Sequence, residues 1–170
     1  MTVDMGWMGN LLVSSKCRKQ FRKTLLMNIL LVEDDYLLGR GTARLLEKLG
    51  DHRVRLTHKA TDVFKHCQSG AIDLVIMDVN LPGTFWQGAE VTGIDLARLL
   101  KSQPETAHLP VVLLTAHAME ADRTHMLSDA RADCLCTKPI ADYETFLALL
   151  EQVKAASADS GLHGLTASAS

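Results

Sequence analysis

Glu33, Asp34 and Asp35 stand in a row directly after the apolar run NILLV, and Asp78 follows the run LVIM, with Asn80 two positions on. Thr115 closes a third apolar run, VVLLT, and Lys138 follows a fourth, CLCT, just ahead of Pro139. Acids brought this close repel, and each raises the pKa of the next unless a positive charge lies between them. A hard divalent cation with oxygen ligands resolves that conflict, and Mg²⁺ suits two or three carboxylates completed by water. A hydroxyl, an ammonium and such a cation converging on one carboxylate make a place for a phosphoryl group, whose oxygens need several donating partners in transit. Asp78 is then the nucleophile, and the product is an aspartyl phosphate. Taken singly, each residue has a plainer role. Asp34 or Asp35 would cap the helix that follows, Thr115 would end a strand and Lys138 would be a surface amine. The ordered set carries the argument.

These groups meet only if the apolar runs are strands lying side by side. From residue 28 onward, short apolar runs alternate with helix-period segments, the pattern of βαβ units around a parallel sheet. Strands are expected at Asn28 to Val32, Arg53 to Thr57, Ile72 to Met77, Val111 to Thr115 and Asp133 to Thr137. Three are nearly all apolar, as strands covered on both faces must be. Five helices are expected between and after them. Leu38, Leu45, Leu46 and Leu49 form a stripe on the first, which Gly50 ends; Ala60, Val63, Phe64 and Cys67 mark the second. Ile94, Ala97 and Leu100 mark the third, a weakly patterned segment from Glu120 to Arg131 the fourth, and Phe146, Leu149, Leu150 and Val153 the last. Right-handed crossovers then favour an α/β fold: a doubly wound, five-stranded parallel sheet of flavodoxin-like order 2-1-3-4-5, with helices on both faces. Its crevice lies at the carboxyl ends of the strands, where all the residues named above are placed.

Length and composition fit one such domain. The 170 residues are 47% hydrophobic and 22% charged, which excludes wholesale disorder and a disulfide-stapled mini-protein. No apolar run reaches the ~18 residues of a membrane span, and the basic cluster near the start follows the apolar stretch, the wrong order for a secretory signal. A cytoplasmic location is the expectation. Residues 1–26 carry about +4 and the rest about −6, so the folded part is not expected to bind nucleic acid. Residues 1–26 read as a flexible basic extension, 27–156 as the domain and 157–170, rich in Ser, Ala and Gly, as a disordered tail. Cys17, Cys67, Cys134 and Cys136 show no metal-ligand spacing and are expected to be reduced thiols.

The segments ILLVEDD, LVIMDVNLPG, VVLLTAHAM and CTKPI, in that order, resemble the receiver domain of bacterial two-component response regulators, of the chemotaxis-receiver type. The likeness covers about residues 28–155. It implies that Glu33 and Asp34 are the acidic metal-binding pair and Asp78 the phosphoacceptor, and that Asn80 lends its backbone carbonyl to Mg²⁺. It further implies that Thr115 is the switch hydroxyl, that Lys138 is the phosphate-binding lysine, with a cis peptide to Pro139, and that His117 tunes dephosphorylation. The partners implied are a histidine kinase or histidine phosphotransfer protein upstream and a protein target downstream.

Two departures qualify the resemblance. Leu135 stands where the family generally places an aromatic switch residue, which favours an output route independent of aromatic rotamer coupling. The loop from Pro82 to Gly93 holds ten intervening residues, about seven more than the common PGxxG pattern, and it carries Phe85 and Trp86. Those aromatics are expected to fold back onto the third helix, with a lid over the metal site as the alternative. The resulting expectation is a stand-alone receiver that turns over no free substrate and signals by protein contact. A phosphorylation-independent pseudo-receiver is the first rival. An aspartyl-phosphate phosphatase or phosphotransferase is the second, disfavoured because Asn80 occupies the position where such enzymes usually carry a second aspartate.

Overall fold

The computed structural model describes residues 25–116 and 119–162. The expectations for the basic extension fall on residues 1–26 and for His117 on the loop after Thr115; residues 1–24 and His117 lie outside the described residues.

Five strands, β1 (Asn28–Val32), β2 (Arg53–Thr57), β3 (Leu74–Asp78), β6 (Val111–Thr115) and β7 (Cys134–Thr137), form one parallel sheet in the order β2-β1-β3-β6-β7. Counted among themselves these are the five expected strands in the expected order. The two others, β4 (Phe85–Trp86) and β5 (Ala89–Glu90), pair antiparallel as a small hairpin outside the main sheet. β3 starts two residues later than expected because the Asp73 carboxylate caps the chain at Asn28: its Oδ2 accepts from the Asn28 backbone N–H at 2.8 Å.

Alternate strand residues face opposite layers, the period-2 consequence of the pleat. Leu30, Val32, Val75, Met77, Val111 and Leu113 pack under α2 (Ala60–Gln68), α3 (Gly93–Ser102) and α4 (Glu120–Ala130). Ile29, Leu31, Leu74, Ile76, Val112 and Leu114 pack under α1 (Tyr36–Gly50) and α5 (Tyr143–Leu162). Both cores are continuous from β1 to β6, which is why these strands read as unbroken apolar runs.

Three sequence expectations change. Of the leucine stripe on α1, only Leu46 is fully buried; Leu38, Leu45 and Leu49 are 44%, 37% and 51% exposed. The buried face is instead Gly39, Thr42, Ala43, Leu46 and Gly50. Small residues win because the helix lies very close to its neighbours: a Cβ on Gly39 would come 2.7 Å from Leu56 of β2, and one on Gly50 2.6 Å from Leu147 of α5. Second, α5 continues to Leu162, six residues into the segment read as tail, whose residues 163–170 lie outside the described residues. Third, Trp86 packs on α2 rather than α3, its ring centroid 4.0 Å from that of Phe64.

Candidate functional site

The three consecutive acids after β1 have three different fates. Glu33 is buried with its backbone N–H still donating to Thr57 of β2 at 3.0 Å, so its side chain turns into the sheet's carboxyl edge. Asp34 is exposed at the mouth. Asp35 is the N-cap of α1, its Oδ1 accepting from the Leu38 N–H at 3.0 Å. The capping role open to either aspartate thus falls to Asp35, and Asp34 is left beside Glu33. β3 neighbours β1, so Asp78 at its end comes alongside. One carboxylate oxygen each from Glu33, Asp34 and Asp78 lie within 4.8 Å of one another.

The edge strand β7 supplies the counter-charge. Lys138 follows it directly, its N–H donating to the Thr115 carbonyl at 2.8 Å and its peptide bond to Pro139 cis. Its Nζ donates to Glu33 Oε2 at 2.7 Å and to Asp78 Oδ2 at 2.6 Å. Thr115 is buried at the end of β6, next to β3 on one side and β7 on the other. The Asn80 backbone N–H donates to Asp78 Oδ1 at 3.0 Å, which fixes the turn after the nucleophile candidate. Glu33, Asp34, Asp78, Asn80, Thr115 and Lys138 therefore gather at one edge; Asp35 caps α1 instead, and His117 is outside the described residues.

Two buried carboxylates share one ammonium. Burial raises the Glu33 carboxyl above its ordinary range; the Lys138 hydrogen bond lowers it, and the Asp78 charge raises it again. Burial also works against the Lys138 charge, but its hydrogen bonds to Asp78 and Glu33 outweigh this and raise its pKa. A site with more buried negative than positive charge is a place for an additional cation. The donor set is all hard oxygen and partly open to solvent through Asp34, which fits Mg²⁺.

Sequence reasoning missed the support beneath Asp78. Gly93 opens α3 inside the capping box of Thr92 and Asp95, and its N–H donates to the Val79 carbonyl at 3.0 Å. A Cβ there would stand 1.8 Å from the Asp78 carbonyl oxygen, so no side chain fits. The available signal was a glycine directly after the threonine of a Thr-x-x-Asp box. The inserted hairpin is held apart from this contact. It turns through Gln87 and Gly88, both at positive φ, as a two-residue hairpin turn requires. Thr84 Oγ1 donates to the His58 carbonyl at 3.3 Å, Trp86 stacks on Phe64, and Phe85 is 60% exposed. Leu135 is buried in the α2–α4 core and its carbonyl accepts from Arg123 Nη2 at 2.9 Å.

A fold of this order, with acids, hydroxyl and lysine on successive strand ends, defines a class. The family model for the response regulator receiver domain matches residues 29–154, and the chain belongs to that family, the receiver domain of two-component systems. Among curated relatives it is 33% identical over 106 residues to the chemotaxis protein CheY of Pseudomonas aeruginosa, covering 62% of this chain and 77% of that protein. It is 28% identical to the polar-differentiation response regulator DivK of Brucella anthropi over 66% of this chain and 85% of that one. It is also 33% identical to a gliding motility regulatory protein of Myxococcus xanthus, but spans only 13% of its length. Among solved structures, the receiver domain of the sensor histidine kinase PA1611 from Pseudomonas aeruginosa PAO1, which holds a magnesium ion in its active site cleft, is similar at a TM-score of 0.64. That match has 24% identity and covers 77% of this chain and 99% of that one. Among the described residues no helix is long and apolar enough to cross a membrane.

Proposed function

We propose that this chain is a phosphorylation-controlled switch that accepts a phosphoryl group on Asp78 from a histidine kinase or histidine phosphotransfer protein. The observation that carries this reading is the Asp78 carboxylate, buried and held at both oxygens, by the Asn80 N–H and by Lys138 Nζ, beside two further acids. Glu33, Asp34, Asp78 and the backbone carbonyl of Asn80 would hold Mg²⁺. The chemistry such an ion would supply is neutralisation of the crowded carboxylates and withdrawal of charge from the phosphoryl oxygens. The Asp78 carboxylate attacks phosphorus as the bond to the donor nitrogen breaks, leaving an acyl phosphate on Asp78 and the electron pair on the donor imidazole. Lys138, already in contact with Asp78, follows the new phosphoryl oxygens, and the Thr115 hydroxyl donates to them. Contacts made only in the phosphorylated state shift the balance of conformers, and a protein target reads the shift in the cytoplasm. The relatives CheY and DivK, matched over most of their length, support a receiver acting through protein contacts.

The test is labelling with acetyl phosphate and millimolar Mg²⁺ on the wild type and Asp78→Asn. Stoichiometric labelling lost in the variant is expected. No labelling of a folded wild type would overturn the proposal in favour of a phosphorylation-independent binding module, and rapid multiple turnover would overturn it in favour of an enzyme.

A further inference from the structure

β2 pairs with β1 alone and forms one edge of the sheet. In that ladder the Arg53 N–H donates to the Met27 carbonyl at 2.9 Å and the Thr57 carbonyl accepts from the Glu33 N–H at 3.0 Å, so Arg53, Arg55 and Thr57 turn their peptide groups toward β1. The N–H and C=O of Val54 and Leu56 therefore point away from the sheet, and among the described residues none of these four groups has a partner. Val54 and Leu56 are half-buried against the α1 layer, while Arg53 and Arg55 are exposed on the opposite face. Along the same edge, between β2 and one stripe of α1, runs a groove of about 550 Å³ that Arg40, Ala43, Arg44, Val54 and Leu56 line. Arg40 lies over the Tyr36 ring, 5.8 Å from its centre. Glu47 and Asp62 also line the groove, and Glu33 and Asp34 meet it from the phosphoacceptor site.

The charge of this edge runs against that of the rest of the domain. Residues 40–66 hold seven Lys and Arg against three Asp and Glu, whereas residues 67–162 hold six against thirteen. The two sets of cations are also used differently. Among the described residues, Arg98, Lys101, Lys138 and Lys154 of the later stretch stand in ion pairs, and no Lys or Arg of residues 40–66 does. Basic side chains with no internal acid to match them flank a strand with no neighbour on its outer side.

We propose that the β2 edge docks an extended acidic segment of a partner protein, which joins the sheet as a further strand. Its acids stand at alternate positions beside Arg53 and Arg55, and its apolar residues lie between them over Val54 and Leu56. The outward peptide groups offer donors and acceptors together, and another peptide backbone satisfies both. The phosphate oxygens of a nucleic acid or a lipid surface only accept hydrogen bonds, so they leave the Val54 and Leu56 carbonyls unmet. A second copy of this edge would bring arginine against arginine, and like charges directly opposite are destabilising. An acidic segment is drawn to this side, and the negative faces elsewhere turn it away. The docking does not rest on the phosphoacceptor reading, and its test uses the unphosphorylated chain.

The probe is a fluorescein-labelled peptide, Glu-Val-Glu-Val-Glu-Val-Glu, titrated with the full chain at low salt and followed by anisotropy. Saturable binding is expected, with hydrogen exchange of the Val54 and Leu56 amides slowed about tenfold at saturation. Arg53→Gln with Arg55→Gln, both at exposed positions, is expected to weaken binding about tenfold, the loss of two opposite-charge pairs across the strands. The same peptide N-methylated throughout keeps its charge, loses its backbone donors and is expected not to bind. No binding by the folded chain, equal binding by the double variant or by the methylated peptide, or unchanged exchange at Val54 and Leu56 would each overturn the proposal. So would tighter binding of an oligothymidylate or of phosphatidylserine vesicles, or a dimer of the free chain in which those two amides are already protected.

Discussion

At the amino end of the sheet, Asp73 and Asp133 each close a strand. Asp73 accepts from the Asn28 backbone N–H at 2.8 Å with Lys154 nearby at 3.8 Å, and Asp133 accepts from the Val111 N–H and from Lys101 Nζ, both at 2.8 Å. At the carboxyl end, Glu33 and Asp78 divide a single lysine, and Asp34 adds a third negative charge. The same residue type is matched by donors at one end and crowded at the other. Matched acids hold the strands in place. Crowded acids hold electrostatic stress that a cation or a covalent change at one carboxylate relieves.

The sharpest way to break this contrast is at the lysine. Lys138→Ala is expected to lower the rate of Asp78 labelling by about 10²- to 10³-fold, the usual effect of deleting one donor to a developing charge, measured with acetyl phosphate. Asp133→Ala strands the Val111 N–H and the Lys101 ammonium, and is expected to cost about 2–3 kcal/mol in urea unfolding. Magnesium should stabilise only where acids crowd. At tenfold its Kd it is expected to add about 1.4 kcal/mol to the wild type and much less to Asp78→Asn, read as a shift in the unfolding midpoint. In chelator, Asp78→Asn is expected to stabilise the chain by about 1 kcal/mol, because one of two like charges is gone. Destabilisation there instead would show that the two ends do not differ.

The smallest effect concerns His52, at the amino end. Its ring is buried between Gly50 and α5, Nδ1 accepts from the Met27 N–H at 3.4 Å, and Nε2 has no partner. Burial depresses its pKa below the usual 6.5, against the pull of Glu151 and Asp51. The unfolded chain therefore binds the proton more tightly. The stability this neutral ring contributes is complete above about pH 6.5 and is lost as the pH falls through the depressed folded value. Unfolding midpoints across that window are expected to flatten in His52→Gln.

Much of this was legible in the residues. The strands buried on both faces announced themselves as apolar runs, and β1 and β6 have the expected bounds because nothing polar interrupts their apolar runs; β2, RVRLT, instead alternates polar and apolar residues as a partly exposed edge strand does. The site was legible for the same reason: charge directly after such a run has to surface at the sheet edge. The α1 leucines misled because periodicity reports which residues share a face, not which face lies closest to the sheet. Close approach selected Gly39 and Ala43, and small residues carry little hydrophobic signal. His52 was invisible because its burial depends on the α1–α5 contact, which no local pattern encodes. The hairpin had a signal, Gln87-Gly88 between aromatic and aliphatic residues, but two-residue strands are too short for alternation to register.

The Val91 N–H donates to the Thr84 carbonyl at 2.9 Å, closing the inserted hairpin across its base before the chain reaches Gly93. Everything beyond that rung hangs on Phe64 and His58, while the peptide touching Asp78 is set by Gly93. The excursion thus behaves as a graft whose length and tip can drift over evolutionary time, freeing it to acquire new contacts without retuning the chemistry at its root.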